Sequence, residues 1–95
     1  MHIRDIEKEI EIDFGYLNLS RNEKIDSNIG KVIIYEFENQ NYIGMIAVYC
    51  DKKEYNFGLW DKINDTDLLN VWLDESDNIK VLGIEKMKQY LIKKD

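Results

Sequence analysis

The fold is decided in the middle of the chain, where Lys31–Trp60 reads KVIIYEFENQNYIGMIAVYCDKKEYNFGLW. Lys31–Glu38 is rich in β-branched and aromatic residues, and Glu54–Trp60 alternates large apolar residues with polar or small ones. Both patterns are typical of β-strands. Between them, Tyr42–Cys50 contains no charged residue, which predicts a central strand covered on both faces. Short polar segments separate the three, so we predict three consecutive antiparallel strands.

Two periodicities overlap near the N-terminus. Ile3, Ile6 and Ile10 have the spacing of a helical stripe. Ile10, Ile12 and Phe14, by contrast, alternate with acidic residues as they would in a strand. We predict a short helical turn at the start, followed by a strand that begins at about Glu9.

The segment that follows this first strand is mostly polar. Past Gly15 the apolar positions change parity, and a β-bulge at Gly15 or Tyr16 would restore the apolar face of the strand. Ser20–Gly30 is the longest polar segment of the chain. We predict that it forms a loop with one helical turn.

The region after Trp60 contains one ambiguous segment and one clear helix. Leu68–Leu73 fits a strand, with alternate leucine and valine on one face, but it also fits a short helical stripe. We favour the strand, as the first half of a hairpin from Leu68 to Leu82. Ile84, Met87 and Leu91 then have helical spacing among lysines, which predicts an amphipathic C-terminal helix.

Together these elements predict one α+β domain over residues 1–95. The predicted architecture is an antiparallel β-meander of five or six strands, a curled sheet or partial barrel, with a C-terminal amphipathic helix. A chain of this length is long enough to bury one core without a metal or a disulfide.

The charge of the chain narrows the kinds of partner it can bind. It carries 13 Lys and Arg against 19 Asp and Glu, for a formal net charge of −6. Because phosphate contacts depend on Lys and Arg, this charge argues against direct binding of nucleic acid and against docking on an anionic membrane. A basic protein partner fits the charge better.

The N-terminus has no apolar segment of the signal-peptide kind. No apolar run approaches the ~20 residues of a transmembrane helix. We therefore expect a cytoplasmic protein.

The sequence contains little that could carry catalysis. Cys50 is the only cysteine and His2 the only histidine, so a paired nucleophile and base or a Cys/His zinc site has few residues to draw on. Neither a Walker-type loop nor GxGxxG is present. We predict a protein that is not an enzyme and has no cofactor or metal.

The strongest candidate for a binding site is the acidic, tryptophan-containing stretch WDKINDTDLLNVWLDESD, Trp60–Asp77. In the strand interpretation, both tryptophans lie on the less apolar face of the sheet, where an aromatic anchor with a charged surround is typical of a binding hot spot. The alternative is that the C-terminal helix covers this face and buries both rings. The predicted partner-binding residues are Trp60, Asp61, Asp65, Asp67, Trp72, Asp74, Glu75 and Asp77.

These observations favour a small acidic protein-binding protein, monomeric or homodimeric. Its expected role is to inhibit a basic or nucleic-acid-binding protein, because in size and charge it is similar to toxin-immunity proteins and phage-encoded inhibitors of host defence. One alternative is a homo-oligomeric structural protein that pairs through a strand edge. Another is a small-molecule or peptide-binding module, whose pocket would be lined by Tyr35, Phe37, Tyr42, Tyr49, Tyr55 and Phe57.

Overall fold

The structure of the protein is a computed structural model that describes residues 6–92. It is an α+β fold in which a five-stranded antiparallel sheet carries short helices at both ends of the chain. The elements are helix α1 (Ile6–Phe14), strands β1 (Ser20–Asp26), β2 (Gly30–Glu38), β3 (Tyr42–Tyr49), β4 (Glu54–Asp61) and β5 (Thr66–Asp74), a π-helical segment (Lys80–Glu85) and helix α2 (Lys86–Leu91). Among these residues, no helix is long and apolar enough to span a membrane.

The five strands form a simple meander in the order β1-β2-β3-β4-β5. Each strand pairs antiparallel with the next, and β3 lies in the centre of the sheet. The register between β4 and β5 shifts at Leu59 and Trp60, so that Trp60 pairs with Asp67 and Leu59 with Leu69. Leu68 is the extra residue of this β-bulge, and its side chain packs against the core. The sheet therefore has the predicted meander topology, with five strands and open edges.

One face of the sheet, which we call the covered face, is buried beneath the helices. The register places Ile33, Val48, Tyr55 and Leu73 in one row across four strands, and every one of them is buried. Helix α1 and the C-terminal helical segment pack onto this same face. Their contribution to the core comes from Ile6, Ile10, Phe14, Ile79, Ile84 and Met87.

Polar contacts hold α1 against the sheet. The hydroxyl of Tyr35 donates to Glu7 Oε1 at 2.5 Å, and Arg21 Nε donates to the same oxygen at 3.1 Å. Burial alone would raise the pKa of Glu7, but these two hydrogen bonds outweigh it and hold that pKa below its usual value. Lys80 and Lys88 pair with Glu9 and Asp13 on α1, at 2.7 and 2.9 Å, which ties the two helical ends of the chain together.

The predicted N-terminal strand is wrong, because the residues from Ile6 to Phe14 form helix α1. Ile6, Ile10 and Phe14 recur every four residues and are all buried, whereas Ile12 is 67% exposed. The buried residues therefore follow the period of a helix, and they do not follow the alternation that suggested a strand. No β-bulge forms after it, since the residues from Gly15 to Leu17 make a 3₁₀ turn. Ile3 lies outside the described residues.

The predicted loop over Ser20–Gly30 is also wrong, because most of it is strand β1. Every residue of β1 is exposed, so no apolar period marks the strand in the sequence. Its backbone pairing with β2 holds it in place instead. The turn that follows is stabilised by Asp26 Oδ1, which accepts from the N–H groups of Asn28 and Ile29. Gly30 has a φ of 86° and begins β2 without closing any helix.

Half of the predicted hairpin from Leu68 to Leu82 is correct. Leu68–Leu73 is part of strand β5, but the residues from Ile79 onward are helical. Ile79, Gly83 and Met87 lie four residues apart and are buried. The side chain of Asn78 accepts from the Val81 N–H at 3.2 Å and so caps one of the first free N–H groups of the segment. The predicted amphipathic C-terminal helix therefore starts earlier than expected.

Candidate functional site

The opposite face of the sheet is not covered by any described helix, and we call it the open face. This corrects the prediction that Tyr42–Cys50 is covered on both faces, because Ile43 and Met45 of β3 are exposed. Helix α1 and the C-terminal helical segment both pack on the covered face. No described helix is left to shield the open face. The open face therefore exposes large apolar side chains of the sheet itself to solvent.

The open face is built from four rows of residues that run across the strands. Each row follows the antiparallel register from one strand to the next, so its members are neighbours on one surface. In order along the strands, the rows are Glu38, Ile43, Trp60 and Asp67; Ser20, Glu36, Met45, Gly58 and Asn70; Asn22, Ile34, Ala47, Asn56 and Trp72; and Lys24, Val32, Tyr49, Glu54 and Asp74.

The centre of the open face is apolar. Trp72 is 58% exposed, Ile43 43%, Trp60 38% and Met45 36%. Single exposed apolar residues are ordinary, but contiguous patches of them on a small protein mark binding surfaces. Because these four side chains come from β3, β4 and β5 in adjoining rows, they form such a patch.

Trp72 is held in place by an aromatic neighbour. Its ring lies 5.4 Å from that of Tyr49, centroid to centroid, with the planes tilted by 37°. The two residues belong to β5 and β3, which are two strand spacings or about 9.6 Å apart, so the rings lean together over β4. Beneath them, Asn56 is buried and donates to Asn70 Oδ1 and to the Val71 carbonyl, both at 3.1 Å. Its polar group is therefore satisfied.

A groove of about 340 Å³ lies beside Trp60 on the open face. Gly58 forms its floor, between Met45 on β3 and Asn70 on β5. A second depression, of about 350 Å³, begins at Ser20 and Asn18. Both are lined by Glu36 and Ile43, so the two depressions adjoin at these residues.

Neither close packing nor backbone conformation requires a glycine in the floor of the groove, at Gly58. A Cβ added to Gly58 would lie 3.8 Å from the Leu69 carbonyl oxygen, which is ordinary contact, and its backbone does not have the positive φ that favours glycine. Gly44 differs, because a Cβ there would lie 2.0 Å from the ring of Phe37. A glycine inside a strand weakens it and often marks the approach of a ligand or another backbone.

Several acidic residues of the open face have no partner among the described residues. Glu36, Glu54 and Asp67 make no hydrogen bond or ion pair through their carboxylates with the rest of residues 6–92. Glu38 is different, since its carboxylate pairs with Lys62 at 2.7 Å. Unpaired carboxylates around an apolar centre attract cations, because no internal counter-charge neutralises them.

Four of the eight predicted site residues lie on the open face: Trp60, Asp67, Trp72 and Asp74. Both tryptophans are exposed, so the alternative in which the C-terminal helix buries their rings is wrong. The helix could not cover them because its apolar side packs on the other face of the sheet.

The other four predicted residues lie in turns at opposite ends of β5, and they do not meet in one cluster. Asp61 and Asp65 flank the turn before this strand, while Glu75 and Asp77 lie in the turn after it. A strand of this length separates the two groups by roughly 25 Å.

Most of the turn carboxylates stabilise their own turns. Asp61 Oδ1 accepts from the N–H groups of Ile63 and Asn64, and the hydrogen bond from the Asn64 side chain lowers the pKa of Asp61 most. Asp74 Oδ1 accepts from the hydroxyl and the N–H of Ser76 in the same manner. Asp77 Oδ2 accepts from the Asp74 N–H at 2.9 Å. These acids shape the backbone, as Asp commonly does in turns.

The six aromatic residues proposed for a ligand pocket do not line a common cavity. Tyr35, Phe37, Tyr55 and Phe57 fill the core beneath the helices, and Tyr49 lies on the open face. No group of three His, Cys, Asp or Glu among residues 6–92 is placed to hold a metal ion. His2 lies outside the described residues, so its position relative to Cys50 is not described.

Reasoning from sequence missed the part of the site that comes from the central strands. Ile43, Met45 and Tyr49 alternate along β3 with residues of the covered face, but the uniformly apolar sequence hides the difference between its two faces. The acidic residues of the neighbouring strand carried a signal. Glu36 and Glu38 share a face with Ile34, and two charges at one end of that face indicate solvent.

Comparison of the chain with known proteins identifies no related protein. No protein-family model, curated protein or solved structure matches it.

Proposed function

We propose that this protein binds another protein, of basic charge, through the open face of its sheet. The observation that supports the proposal is a sheet face with two exposed tryptophans that no described part of the chain covers. Tryptophan is among the residues most enriched at binding hot spots, since its large ring buries much apolar area for little loss of conformational freedom.

Burial of the apolar centre of the open face would favour binding. Covering Trp72, Trp60, Ile43 and Met45 would remove apolar surface from water, at about 25 cal/mol for each Å². Strand residues are held rigid by the sheet, and Trp72 is further held by Tyr49. Little ordering of this surface is therefore needed when a partner binds.

The charge around the centre selects the partner. The rows of the open face carry five acidic residues and one lysine: Glu36, Glu38, Glu54, Asp67, Asp74 and Lys24. A basic surface would complement this ring of carboxylates and would be attracted to it from a distance. A second copy of the chain, docked face to face by a two-fold axis, would bring like charges together.

Inhibition follows directly from binding of this kind. A partner whose basic surface contacts nucleic acid would have that surface covered by the open face, and its phosphate contacts would be lost. We therefore propose an inhibitory role in the manner of an immunity or anti-defence protein.

The proposal is tested by capture of partners from lysate of the source cells, followed by titration of each purified partner against wild type and variants. The test variant is Trp72→Ala with Asp74→Lys, which changes the open face. The matched control is Tyr16→Ala with Glu11→Lys, which makes the same kinds of change at exposed positions outside the strand rows of the open face.

We expect one basic protein that binds wild type and the control variant, and whose affinity falls at least 100-fold in the test variant, because a hot-spot residue and a charge are lost together. A partner that binds both variants equally would refute the proposed site. Capture of an acidic protein, or a concentration-dependent doubling of mass with no other partner, would refute the proposed partner class.

A further inference from the structure

We propose that the groove over Gly58 receives an arginine side chain of the partner protein. This inference rests on the proposed function and deepens it, since it names the group that the open face recognises. The groove, of about 340 Å³, is at the small end of the range of ligand sites, about 300–1,000 Å³. That size suits one long side chain with the backbone next to it.

The walls of the groove match the parts of an arginine. Met45 and the ring of Trp60 present apolar surface to the methylene stem, and Gly58 leaves the floor free. Asp67 lies directly opposite Trp60 in the register of β4 and β5. A cation stacked on the Trp60 ring would thus have a carboxylate beside it, which combines a cation–π contact with an ion pair.

The groove favours arginine over lysine for geometric reasons. A guanidinium is planar, stacks on an aromatic face and donates several N–H groups in a fixed fork, whereas an ammonium is compact and more strongly hydrated. The Asp67 carboxylate makes no ion pair within residues 6–92, so it is available to accept from such a fork. Glu36 lines the same groove on β2, three strand spacings or about 14 Å away, and adds to the negative potential.

The glycine supplies an independent argument. Gly58 is neither sterically required nor in a backbone conformation that favours glycine, and it weakens the strand in which it lies. A larger side chain at this position would project into the groove and narrow it. The stability of the sheet therefore does not explain why the space above Gly58 is left free of a side chain.

The experiment is a titration of the folded, isotope-labelled protein with N-acetyl-arginine amide, followed by chemical shifts in NMR. The matched probe is N-acetyl-citrulline amide, which has nearly the same shape and no charge. Two variants accompany wild type. Gly58→Val obstructs the floor of the groove at a position where its Cβ has room, and Asp67→Asn removes the carboxylate. Glu11→Gln on α1 is the control for loss of one negative charge.

We expect the Trp60 indole and Gly58 amide signals of wild type to shift saturably with the arginine probe and at least fivefold more weakly with citrulline. The response should vanish in Gly58→Val, weaken severalfold in Asp67→Asn and persist in Glu11→Gln. Equal response to citrulline, survival of the response in Gly58→Val, or no saturable shift up to the solubility limit would overturn the inference. If any of these occurs while Trp72→Ala with Asp74→Lys still abolishes partner binding, arginine recognition fails and the proposed function stands.

Discussion

Both faces of this sheet carry large aromatic residues, but those of one face are buried and those of the other are exposed. On the covered face, Tyr55 and Phe57 are fully buried beneath the helices. On the open face, Trp60 lies on the same strand as these two residues, β4, and Trp72 lies on the neighbouring β5, yet both tryptophans are exposed. Burial in the core explains the first pair. The exposure of the second pair is the observation on which the proposed binding function rests.

The glycines of the two faces repeat this contrast. Gly44 on the covered face leaves room for the Phe37 ring, which fills the space that a side chain would take. Gly58 on the open face leaves room that nothing in the described chain fills. The space on the covered face is thus filled by side chains of the chain itself, whereas the space on the open face is the feature on which the proposed binding role rests.

Truncating one aromatic residue on each face should give the largest difference in stability. Phe57→Ala should lower the free energy of unfolding by about 3–5 kcal/mol, because it leaves a cavity in the core. Trp72→Ala should cost less than about 1 kcal/mol, since its ring is mostly in water and touches mainly Tyr49. Urea unfolding of the two variants measures this. A similar loss in both would mean that the open face is covered in the native protein.

Adding one methyl group to each glycine gives the next largest contrast. Gly44→Ala should destabilise the protein by about 1–3 kcal/mol through overpacking against Phe37. Gly58→Ala should instead stabilise it by about 0.5–1 kcal/mol, because the new Cβ has room and the unfolded chain loses freedom. Thermal unfolding resolves both shifts. A destabilising Gly58→Ala would remove the argument that this glycine is unnecessary for the fold.

Alkaline pH should loosen the covered face. Burial, aided by the hydrogen bond to Glu7, raises the pKa of Tyr35 to about 12 from an ordinary value of 10.0. The folded protein therefore holds this proton more tightly than the unfolded chain, so the resulting stability is complete below pH 10 and is lost as the pH rises through about 12.

Urea midpoints measured from about pH 8 to 12 test this loss, with Tyr35→Phe compared against Tyr16→Phe at an exposed position. Tyr35→Phe should flatten the alkaline decline in part, since burial raises the pKa of Tyr55 to about 12 as well. Identical pH profiles for wild type and Tyr35→Phe would show that Tyr35 does not contribute.

Reversing one charge on each side of the molecule should give the smallest effect. Glu36→Lys on the open face should slow association with the basic partner severalfold, and the difference should shrink as salt is added. Glu11→Lys on α1 makes the same change away from the face and should leave the rate nearly unchanged. Stopped-flow measurement at two salt concentrations checks both. Equal slowing by the two variants would point to net charge, and would remove the role of the ring of acids.

The strands that carry a strong pattern were predictable from sequence. Lys31–Trp60 gave three strands in the correct order because its β-branched and aromatic residues match the burial that they adopt. The placement of Trp60 and Trp72 on a shared face followed from alternation along their strands. The interpretation of Leu68–Leu73 as a strand is confirmed as well.

The remaining elements depend on contacts that are remote in the chain. β1 is fully exposed and is a strand because β2 offers it hydrogen bonds, which leave no trace in its own side-chain pattern. α1 and the segment from Ile79 form helices whose apolar stripes are satisfied by the covered face. Which face of the sheet the helices cover was indicated only by Glu36 and Glu38 of β2, and the central strand β3 carries no such signal because both of its faces are apolar.

The most direct test of the central claim is photo-crosslinking in the source cells. A benzophenone amino acid replaces Trp72 in one variant and Tyr16 in another, since both are exposed aromatic positions but only Trp72 belongs to the strand rows of the open face. If the open face is a binding surface, position 72 will form one adduct with a basic protein and position 16 will form none. An adduct at position 16 alone, or an adduct at 72 with twice the 11.4 kDa mass of the chain, would contradict the account.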